Sequence, residues 1–154
     1  MTESGLTNQY VEDLGKTLLT SRMNFLGVFP CDLQPTIKAK TFSLIFNTGD
    51  SSTAGEHFVA IFANKRTLYY FDSFGKRPTD TNIKYFIKKI IGKRKFNVNL
   101  ITIQDDNSTF CGYFCLGFLL ALDRNIKFYT QFHKCNLIKN NAEIVKFIIE
   151  MINK

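Results

Sequence analysis

The chain has 154 residues, of which 45% are hydrophobic and 21% charged, so it can form one buried core and is not wholly disordered. The N-terminus lacks the pattern of a secretory signal, and no stretch approaches the roughly 18 apolar residues of a membrane span. The formal net charge of +7 leaves contact with a polyanion open. We therefore expect a single domain over residues 1–154 that is neither secreted nor held in a membrane.

The first part of the chain predicts a helix and then a short extended segment. NQYVEDLGKTLLTSR carries three residues at helical spacing: Tyr10, Leu14 and Leu18. Thr7 or Asn8 could cap the start of this helix with a side-chain oxygen. FLGVFPCDLQP follows as an extended piece that is stopped by Pro30 and Pro35.

Three strands are predicted next. KTFSLIFNT alternates as a strand does, with Ser43 and Ile45 opposite a face formed by Phe42, Leu44 and Phe46. GDSSTAGE is typical of a loop. HFVAIFA and TLYYFDSFG are rich in aromatic and β-branched residues, and the short NKR between them predicts a β-hairpin.

The remainder is mainly helical. TDTNIKYFIKKIIG predicts a helix with Thr79 or Asp80 as its cap and Gly92 as its stop, and its apolar face holds Ile83, Phe86, Ile87, Ile90 and Ile91. FNVNLITIQ alternates as a half-buried strand does, and CGYFCLGFLLALDRN and NAEIVKFIIEMINK predict two further helices. This order predicts the α+β class, with a central, mainly antiparallel sheet packed against helices.

The most basic stretch is KYFIKKIIGKRKF, for which several interpretations fit. A polyanion such as DNA could bind it, but it also fits a solvated helix face followed by a basic tail. The frequent Lys, Asn, Ile and Phe also fit translation of an AT-rich coding sequence. The candidate nucleic-acid contacts are Lys84, Lys88, Lys89, Lys93, Arg94 and Lys95.

The four cysteines are expected to be reduced thiols, because the chain carries no secretory signal. A zinc site from Cys111, Cys115, His133 and Cys135 is conceivable. However, no CxxC pair or finger spacing is present, so no metal site is predicted.

The predicted hairpin brings together a histidine and a carboxylate. His57 begins one strand and Asp72 ends the next, so antiparallel pairing places the two strand ends side by side. A carboxylate in that position can fix the imidazole tautomer and stabilise the imidazolium. Taken singly, His57 could be a core histidine and Asp72 an ordinary turn residue.

Cys111 lies where polar chain becomes an apolar helix, and Ser108 or Thr109 could cap that helix. A thiol in the first turn of a helix feels the positive end of the helix dipole, which favours the thiolate. Beside an imidazolium it would form the Cys–His pair of a thiol protease. Gly112 would let a substrate carbonyl approach the Cys111 amide, whereas Cys115 is expected to be a core residue.

Gln104 is predicted to end a strand seven positions before Cys111. Folding of DDNSTF over the helix start would allow its amide to donate to an oxyanion, a contact worth about 3 kcal/mol in serine proteases. A glutamine at a strand end carries no such signal by itself.

The ordered set GEHF, YYFDSFG and Q-x6-C-G-Y-F-C resembles the adenovirus-type, or adenain-like, cysteine proteases. Similar enzymes come from virophages and Polinton/Maverick elements, and the wider clan contains the SUMO- and ubiquitin-like-processing proteases. The segment FLGVFPCDLQP resembles that family's FLG-containing segment. The similarity extends over roughly residues 22–124.

The resemblance implies a role for each residue. Cys111 would be the nucleophile, His57 the general base, Asp72 its orienting carboxylate, and Gln104 an oxyanion donor beside the Cys111 amide. It implies cleavage after glycine in small-residue sites, within a channel formed in part by Phe58 and Gly112. Relatives carry tryptophan after the catalytic histidine, so Phe58 makes glycine specificity less secure.

The leading hypothesis is a monomeric thiol endopeptidase that processes viral capsid or core precursors during virion maturation, in the virion and the interior of the infected cell. The chemistry needs no cofactor, and activation by a peptide or by DNA cannot be carried over from the adenoviral enzyme. One alternative is a deubiquitinating or SUMO-type isopeptidase of the same clan. Another is a non-catalytic nucleic-acid-binding protein on the same scaffold.

Overall fold

The computed structural model describes residues 7–48 and 57–154; the predicted loop GDSSTAGE lies outside the described residues. Within them, four α-helices and five strands follow one another in the predicted order. The elements are α1 (Asn8–Leu18), β1 (Phe25–Pro30), β2 (Phe42–Asn47), β3 (Phe58–Ala63), β4 (Thr67–Phe71), α2 (Thr81–Ile91), β5 (Lys95–Val98), α3 (Cys111–Arg124) and α4 (Asn140–Ile152).

The sheet is mixed, with strand order β1-β2-β3-β4-β5. The three central strands pair antiparallel, as expected from the hairpin, whereas each edge strand pairs in parallel with its neighbour. Parallel pairing requires a crossover between the strands, and α2 supplies it between β4 and β5. The predicted α+β class is confirmed, with the antiparallel part confined to the centre of the sheet.

Both faces of the sheet are covered, and the two predicted faces of β2 pack into two different apolar clusters. One apolar cluster joins Phe42, Leu44 and Phe46 to α2, while the cluster on the opposite face joins Ile45 to α1, α3 and α4. Ser43 is fully buried on that second side, where its hydroxyl donates to the carbonyl of Met23 at 2.9 Å. This bond compensates for the loss of hydration of the hydroxyl.

The helix caps follow the sequence signals, and the apolar face of α1 is largely the predicted one. Thr7 accepts a hydrogen bond from the Tyr10 amide, and Asp80 accepts one from the Ile83 amide at the start of α2. Leu14 and Leu18 pack against the core, whereas Tyr10 is 48% exposed. Helix α1 also packs on β1 through Gly15, where a β-carbon would lie only 2.4 Å from the Phe25 ring.

Strand β5 is shorter than the alternation predicted, since it ends at Val98. Leu100 and Ile101 are exposed, and the chain then turns inward as an irregular segment. The amides of Ile103 and Gln104 there bond to the carbonyl of Ser73, at 2.9 and 3.1 Å. Gln104 is therefore held by a loop rather than by the end of a strand.

The predicted side-chain cap of α3 is absent. The residue before the helix is Phe110, and neither Ser108 nor Thr109 caps it through a side chain. The Ser108 hydroxyl instead accepts from the Phe110 amide at 3.1 Å, inside the loop that leads to the helix. Among the described residues, no disulfide joins any of the four cysteines. In the part of the chain that the structure describes, every helix is too short or too polar to cross a membrane.

Candidate active site

The β3–β4 hairpin brings His57 and Asp72 into contact. His57 directly precedes β3 and Asp72 directly follows β4, and the strands between them pair antiparallel through Ala60 and Phe71. His57 Nε2 lies 2.9 Å from Asp72 Oδ1. The side chains are 18% and 9% exposed, so the pair is largely shielded from water. The juxtaposition predicted from the strand ends is present.

Cys111 completes a line of three side chains. It is the first residue of α3, which packs across β3, and its thiol is near enough to His57 to contribute to the raised pKa of the imidazole. Since Nε2 of His57 faces Asp72, Nδ1 is the ring nitrogen left for the thiol. Cys111 is 7% exposed, so its sulfur lies at the edge of the core.

The electrostatic environment favours the protonated imidazole. Burial of the ring by itself would lower the pKa of His57. Hydrogen bonds with Asp72 and Cys111, together with the negative charges of those groups, outweigh burial and raise the pKa to about 9. A protonated imidazole next to a thiol stabilises the thiolate, which is the nucleophilic form.

Cys115 lies one turn further along α3 and is fully buried. Burial raises its pKa well above the ordinary value, and the nearby charges of Cys111 and Asp72 act in the same direction. Cys115 is therefore a neutral thiol in the core, which distinguishes it chemically from Cys111.

The turn after β4, Asp72–Gly75, fixes the carboxylate and covers the imidazole. Asp72 Oδ1 accepts from the Phe74 amide at 2.8 Å, and the Gly75 amide closes the turn on the Asp72 carbonyl at 2.8 Å. The Phe74 ring stacks on the His57 ring with 4.8 Å between centroids. Phe74 was not predicted as a site residue; its position two residues after Asp72 in DSFG was the available signal. A cleft of about 320 Å³ opens beside these residues.

Gln104 is fully buried next to the same turn. Its amide nitrogen donates to the Ser108 carbonyl at 2.9 Å and makes a longer contact of 3.3 Å with the Ser108 hydroxyl. Its side-chain oxygen accepts from the Ser73 hydroxyl. The amide thus faces the loop that leads to Cys111. The role of Gln104 as an oxyanion donor stays a prediction.

Two asparagines at the start of α4 hold this loop, and the sequence analysis did not single them out. Asn141 Oδ1 accepts from the Ser108 hydroxyl at 2.7 Å. The fully buried Asn140 donates to the carbonyls of Ile103 and His133, at 2.8 and 3.0 Å, and accepts from the His133 amide. A paired Asn-Asn at a helix start was the available signal, since asparagine readily bonds to nearby backbone.

Phe58 and Gly112, the predicted channel residues, are both buried. Phe58 is 4% exposed and belongs to the same apolar cluster as Cys111. Gly112 lies in the first turn of α3 directly after the nucleophile candidate. Their contribution to a substrate channel stays a prediction.

The basic stretch divides into two kinds of residue. Its lysines are exposed on α2 and the following segment: Lys84, Lys88, Lys89, Lys93 and Lys95. Arg94 differs, because its guanidinium donates to the backbone carbonyls of Asn64, Ile90 and Lys40 at 2.6, 2.6 and 2.8 Å. Three carbonyl bonds make Arg94 a structural link, which does not favour its prediction as a nucleic-acid contact.

Among the described residues, no three His, Cys, Asp or Glu side chains are grouped so as to hold a metal ion. Of the conceivable zinc ligands, Cys115 is buried in the core and Cys135 is exposed. His133 Nε2 lies 3.9 Å from Glu143 Oε1, near the start of α4.

A buried Cys–His–Asp line at a helix start is the arrangement that activates the nucleophile in thiol hydrolases. No family model matches the chain. It is 32% identical over 110 residues to a protease of bovine adenovirus 2, covering 63% of this chain and 54% of that protein. It is also 28% identical over 117 residues to a SUMO-1 cysteine protease of African swine fever virus, covering 70% of this chain and 42% of that protein. The chain thus spans about half the length of these relatives.

Solved structures support the same fold. The African swine fever virus protease superposes with a TM-score of 0.52 at 24% identity, over 71% of this chain and 43% of that one. The SUMO protease Ulp1, in a form with its catalytic cysteine oxidised to a sulfinic acid, gives 0.50 at 17% identity over 97% and 80%. The fold is therefore shared with these two proteases. The chain is similar in sequence to proteases of an adenovirus and of African swine fever virus, which agrees with the resemblance seen in its motifs.

Proposed function

We propose that the chain is a cysteine endopeptidase with Cys111 as nucleophile and His57 as acid and base. The observation that carries the proposal is the contact of one imidazole with both Asp72 and Cys111, because this arrangement activates a thiol and orients its base. The relatives named as proteases in two virus groups support the same class of reaction.

The geometry supports a two-step reaction. The Cys111 thiolate attacks the substrate carbonyl, and His57 gives its proton to the leaving amine, so that a thioester forms and the peptide bond breaks. His57, now neutral, takes a proton from water, and the hydroxide attacks the thioester. The S–C bond breaks, which releases the acid and restores the Cys111 thiolate beside a protonated His57. Asp72 stabilises the imidazolium whenever His57 is protonated, and no step of this reaction needs a cofactor.

The oxyanion of each tetrahedral intermediate would be bound by the Cys111 amide and by Gln104. The longer of the two Gln104 contacts, 3.3 Å to the Ser108 hydroxyl, is the one that the amide would exchange for an oxyanion. The shorter contact, to the Ser108 carbonyl, would keep the amide in place during that exchange. Removal of one such donor costs about 10²–10³ in kcat in serine proteases.

The proposed substrates are viral capsid or core precursors, cut after glycine during virion maturation in the virion and the infected-cell interior. The adenovirus relative, a protease, supports a protein substrate in a viral setting. Phe58 beside the histidine would form one wall of the substrate channel, where the tryptophan of relatives would make a tighter one. We further propose that the protein acts as a monomer, with DNA or a peptide as candidate activators rather than parts of the chemistry.

A second candidate is a SUMO- or ubiquitin-like isopeptidase, favoured by the swine fever virus relative, a SUMO-1 cysteine protease, and by the fold shared with Ulp1. Both reactions use the same thioester chemistry, so only the substrate distinguishes them. The third hypothesis is a non-catalytic nucleic-acid-binding protein. It is disfavoured because such a protein would have no use for Cys, His and Asp side chains placed in contact with one another.

The proposal is tested with purified protein, a library of peptides containing glycine at each position, and SUMO and ubiquitin fusions. We expect cleavage after glycine in the peptides, complete loss in Cys111→Ala, and retained cleavage in Cys115→Ala, the matched control within the same helix. Cleavage of the fusions alone would favour the isopeptidase. Undiminished cleavage by Cys111→Ala would refute the assignment of the nucleophile.

A further inference from the structure

The turn that carries Asp72 also contacts the oxyanion side of the site, through Ser73. Ser73 is fully buried, and its hydroxyl donates to Gln104 Oε1. Its carbonyl accepts from the backbone amides of Ile103 and Gln104, at 2.9 and 3.1 Å. One residue therefore binds both the backbone and the side chain of Gln104.

The direction of these bonds is fixed by chemistry. The Ser108 carbonyl can only accept, so the nitrogen of the Gln104 amide must face it, and Oε1 must face Ser73. Ser73 must then be the donor. Without that donor, Oε1 would be buried and unpaired, and the amide would be held at its nitrogen alone.

We infer that Ser73 is a positioning residue for catalysis that acts through Gln104. Its hydroxyl holds the Gln104 amide so that the N–H groups face the loop that leads to Cys111. Two consecutive residues of one turn then set the two halves of the site. Asp72 orients the base, and Ser73 orients the oxyanion donor. The inference rests on the proposed function, since an oxyanion forms only if Cys111 attacks a carbonyl.

The first test is Ser73→Ala, assayed on a fluorogenic peptide ending in Gly-Gly. We expect kcat to fall about tenfold with little change in KM, a part of the roughly 10²–10³ lost when a whole oxyanion donor is removed. The matched control is Ser43→Ala. Ser43 is also fully buried, and its hydroxyl also donates one bond to an oxygen, yet it lies on β2 away from the site. The kcat of the Ser43→Ala variant should equal that of wild type.

Two readouts separate positioning from a general structural effect. Alkylation of Cys111 by iodoacetamide, followed at that residue by mass spectrometry, forms an S–C bond and releases iodide without an oxyanion, so its rate and pH dependence should match wild type. A Gly-Gly peptide aldehyde forms a hemithioacetal whose oxygen occupies the oxyanion position, so its affinity should fall in parallel with kcat.

A double-mutant comparison closes the test. In a Gln104→Ala background, Ser73→Ala should cause no further loss of kcat, because the group through which it acts is gone. Additive losses, or an alkylation rate that falls with kcat, would overturn the inference, as would a fully active Ser73→Ala. These failures all require an active wild-type enzyme. A wild-type protein that neither cleaves peptides nor binds the aldehyde would instead overturn the proposed function, and this inference with it.

Discussion

His57 Nε2 lies 2.9 Å from Asp72 Oδ1, and this contact joins the start of one strand to the end of the next. The register of a single hairpin therefore decides whether the base of the site is oriented. The same turn that follows Asp72 supplies the Phe74 ring stacked on His57. Contacts on two sides leave the imidazole little freedom to rotate away from Cys111.

Replacement of Asp72 by asparagine should shift the pH dependence of cleavage. In wild type the basic limb of kcat/KM should fall near pH 9, because His57 must be protonated to donate to the leaving group and its pKa is raised to about 9. Asp72→Asn keeps the shape but removes the charge, so this limb should move towards the ordinary value of 6.5. At pH 7.5 the protonated fraction of His57 would fall from nearly all to about a tenth, so we expect a loss of about tenfold, measured by pH–rate profiles.

The matched control for that prediction is Asp80→Asn. Asp80 accepts a hydrogen bond from the Ile83 amide at the start of α2, a bond that asparagine can also accept. Its profile should keep the basic limb of wild type. An unchanged limb in Asp72→Asn itself would show that the carboxylate does not set the pKa of His57.

Much of the site could be predicted because it depends on local signals. Alternation and a short polar turn predicted the hairpin, and the hairpin ends placed His57 beside Asp72. The apolar run after Cys111 predicted α3, and a helix across the sheet brings its first residue to the hairpin. The meeting of His57, Asp72 and Cys111 follows from where the strands and the helix begin and end. The periodicity of the sequence was therefore sufficient to predict it.

The contacts that could not be predicted depend on irregular backbone. Gln104 appeared to end a strand, but exposed Leu100 and Ile101 show that β5 stops early and that a loop delivers the glutamine to Ser73. Arg94 looked like part of a charge run, yet its guanidinium bonds to carbonyls from three separate segments. Sequence periodicity carries no information on where a loop or a long side chain ends.

The stability of the protein should decrease as pH rises from about 6.5 to about 9. The pKa of His57 is raised in the folded state, so the folded state binds this proton more tightly than the unfolded chain, whose pKa is the ordinary 6.5. The stabilisation is complete below 6.5 and is lost above 9. At about 1.4 kcal/mol for each pKa unit, it amounts to at most about 3 kcal/mol.

Urea unfolding at a series of pH values measures this dependence, with His57→Gln as the comparison because it lacks the titrating group. The difference in unfolding free energy between the two proteins should shrink by up to about 3 kcal/mol between pH 6 and pH 9.5. A constant difference across that range would contradict the raised pKa.

Gly75→Ala should damage the active-site turn. Gly75 has φ of +71°, and a β-carbon there would lie 2.8 Å from the Thr102 amide nitrogen. Because backbone atoms cannot move away as a flexible side chain can, we expect a loss of about 1–3 kcal/mol in unfolding free energy together with reduced kcat. Chemical denaturation and peptide cleavage measure the two effects.

Gly92→Ala is the matched control for that substitution. Gly92 also has positive φ, +52°, but a β-carbon there would meet no atom within 4 Å. It should therefore show the cost of a backbone conformation that favours glycine, about 1–3 kcal/mol, with unchanged kcat. Equal effects of the two variants on kcat would show that the turn does not control the site.

The exposed lysines of the basic stretch should determine any affinity for DNA, whereas Arg94 should not. If phosphates are bound, affinity should fall steeply with salt, and Lys88→Ala with Lys89→Ala should reduce the slope of log K against log salt by about 1–2. Arg94→Ala should leave the slope unchanged and lower the unfolding free energy by about 1–3 kcal/mol, because three carbonyls lose a charged donor. Fluorescence anisotropy with duplex DNA and urea unfolding measure these effects.

The charge-matched control replaces two exposed lysines outside the stretch, by Lys127→Ala with Lys134→Ala. An equal change of slope in that variant would show that net charge alone governs binding.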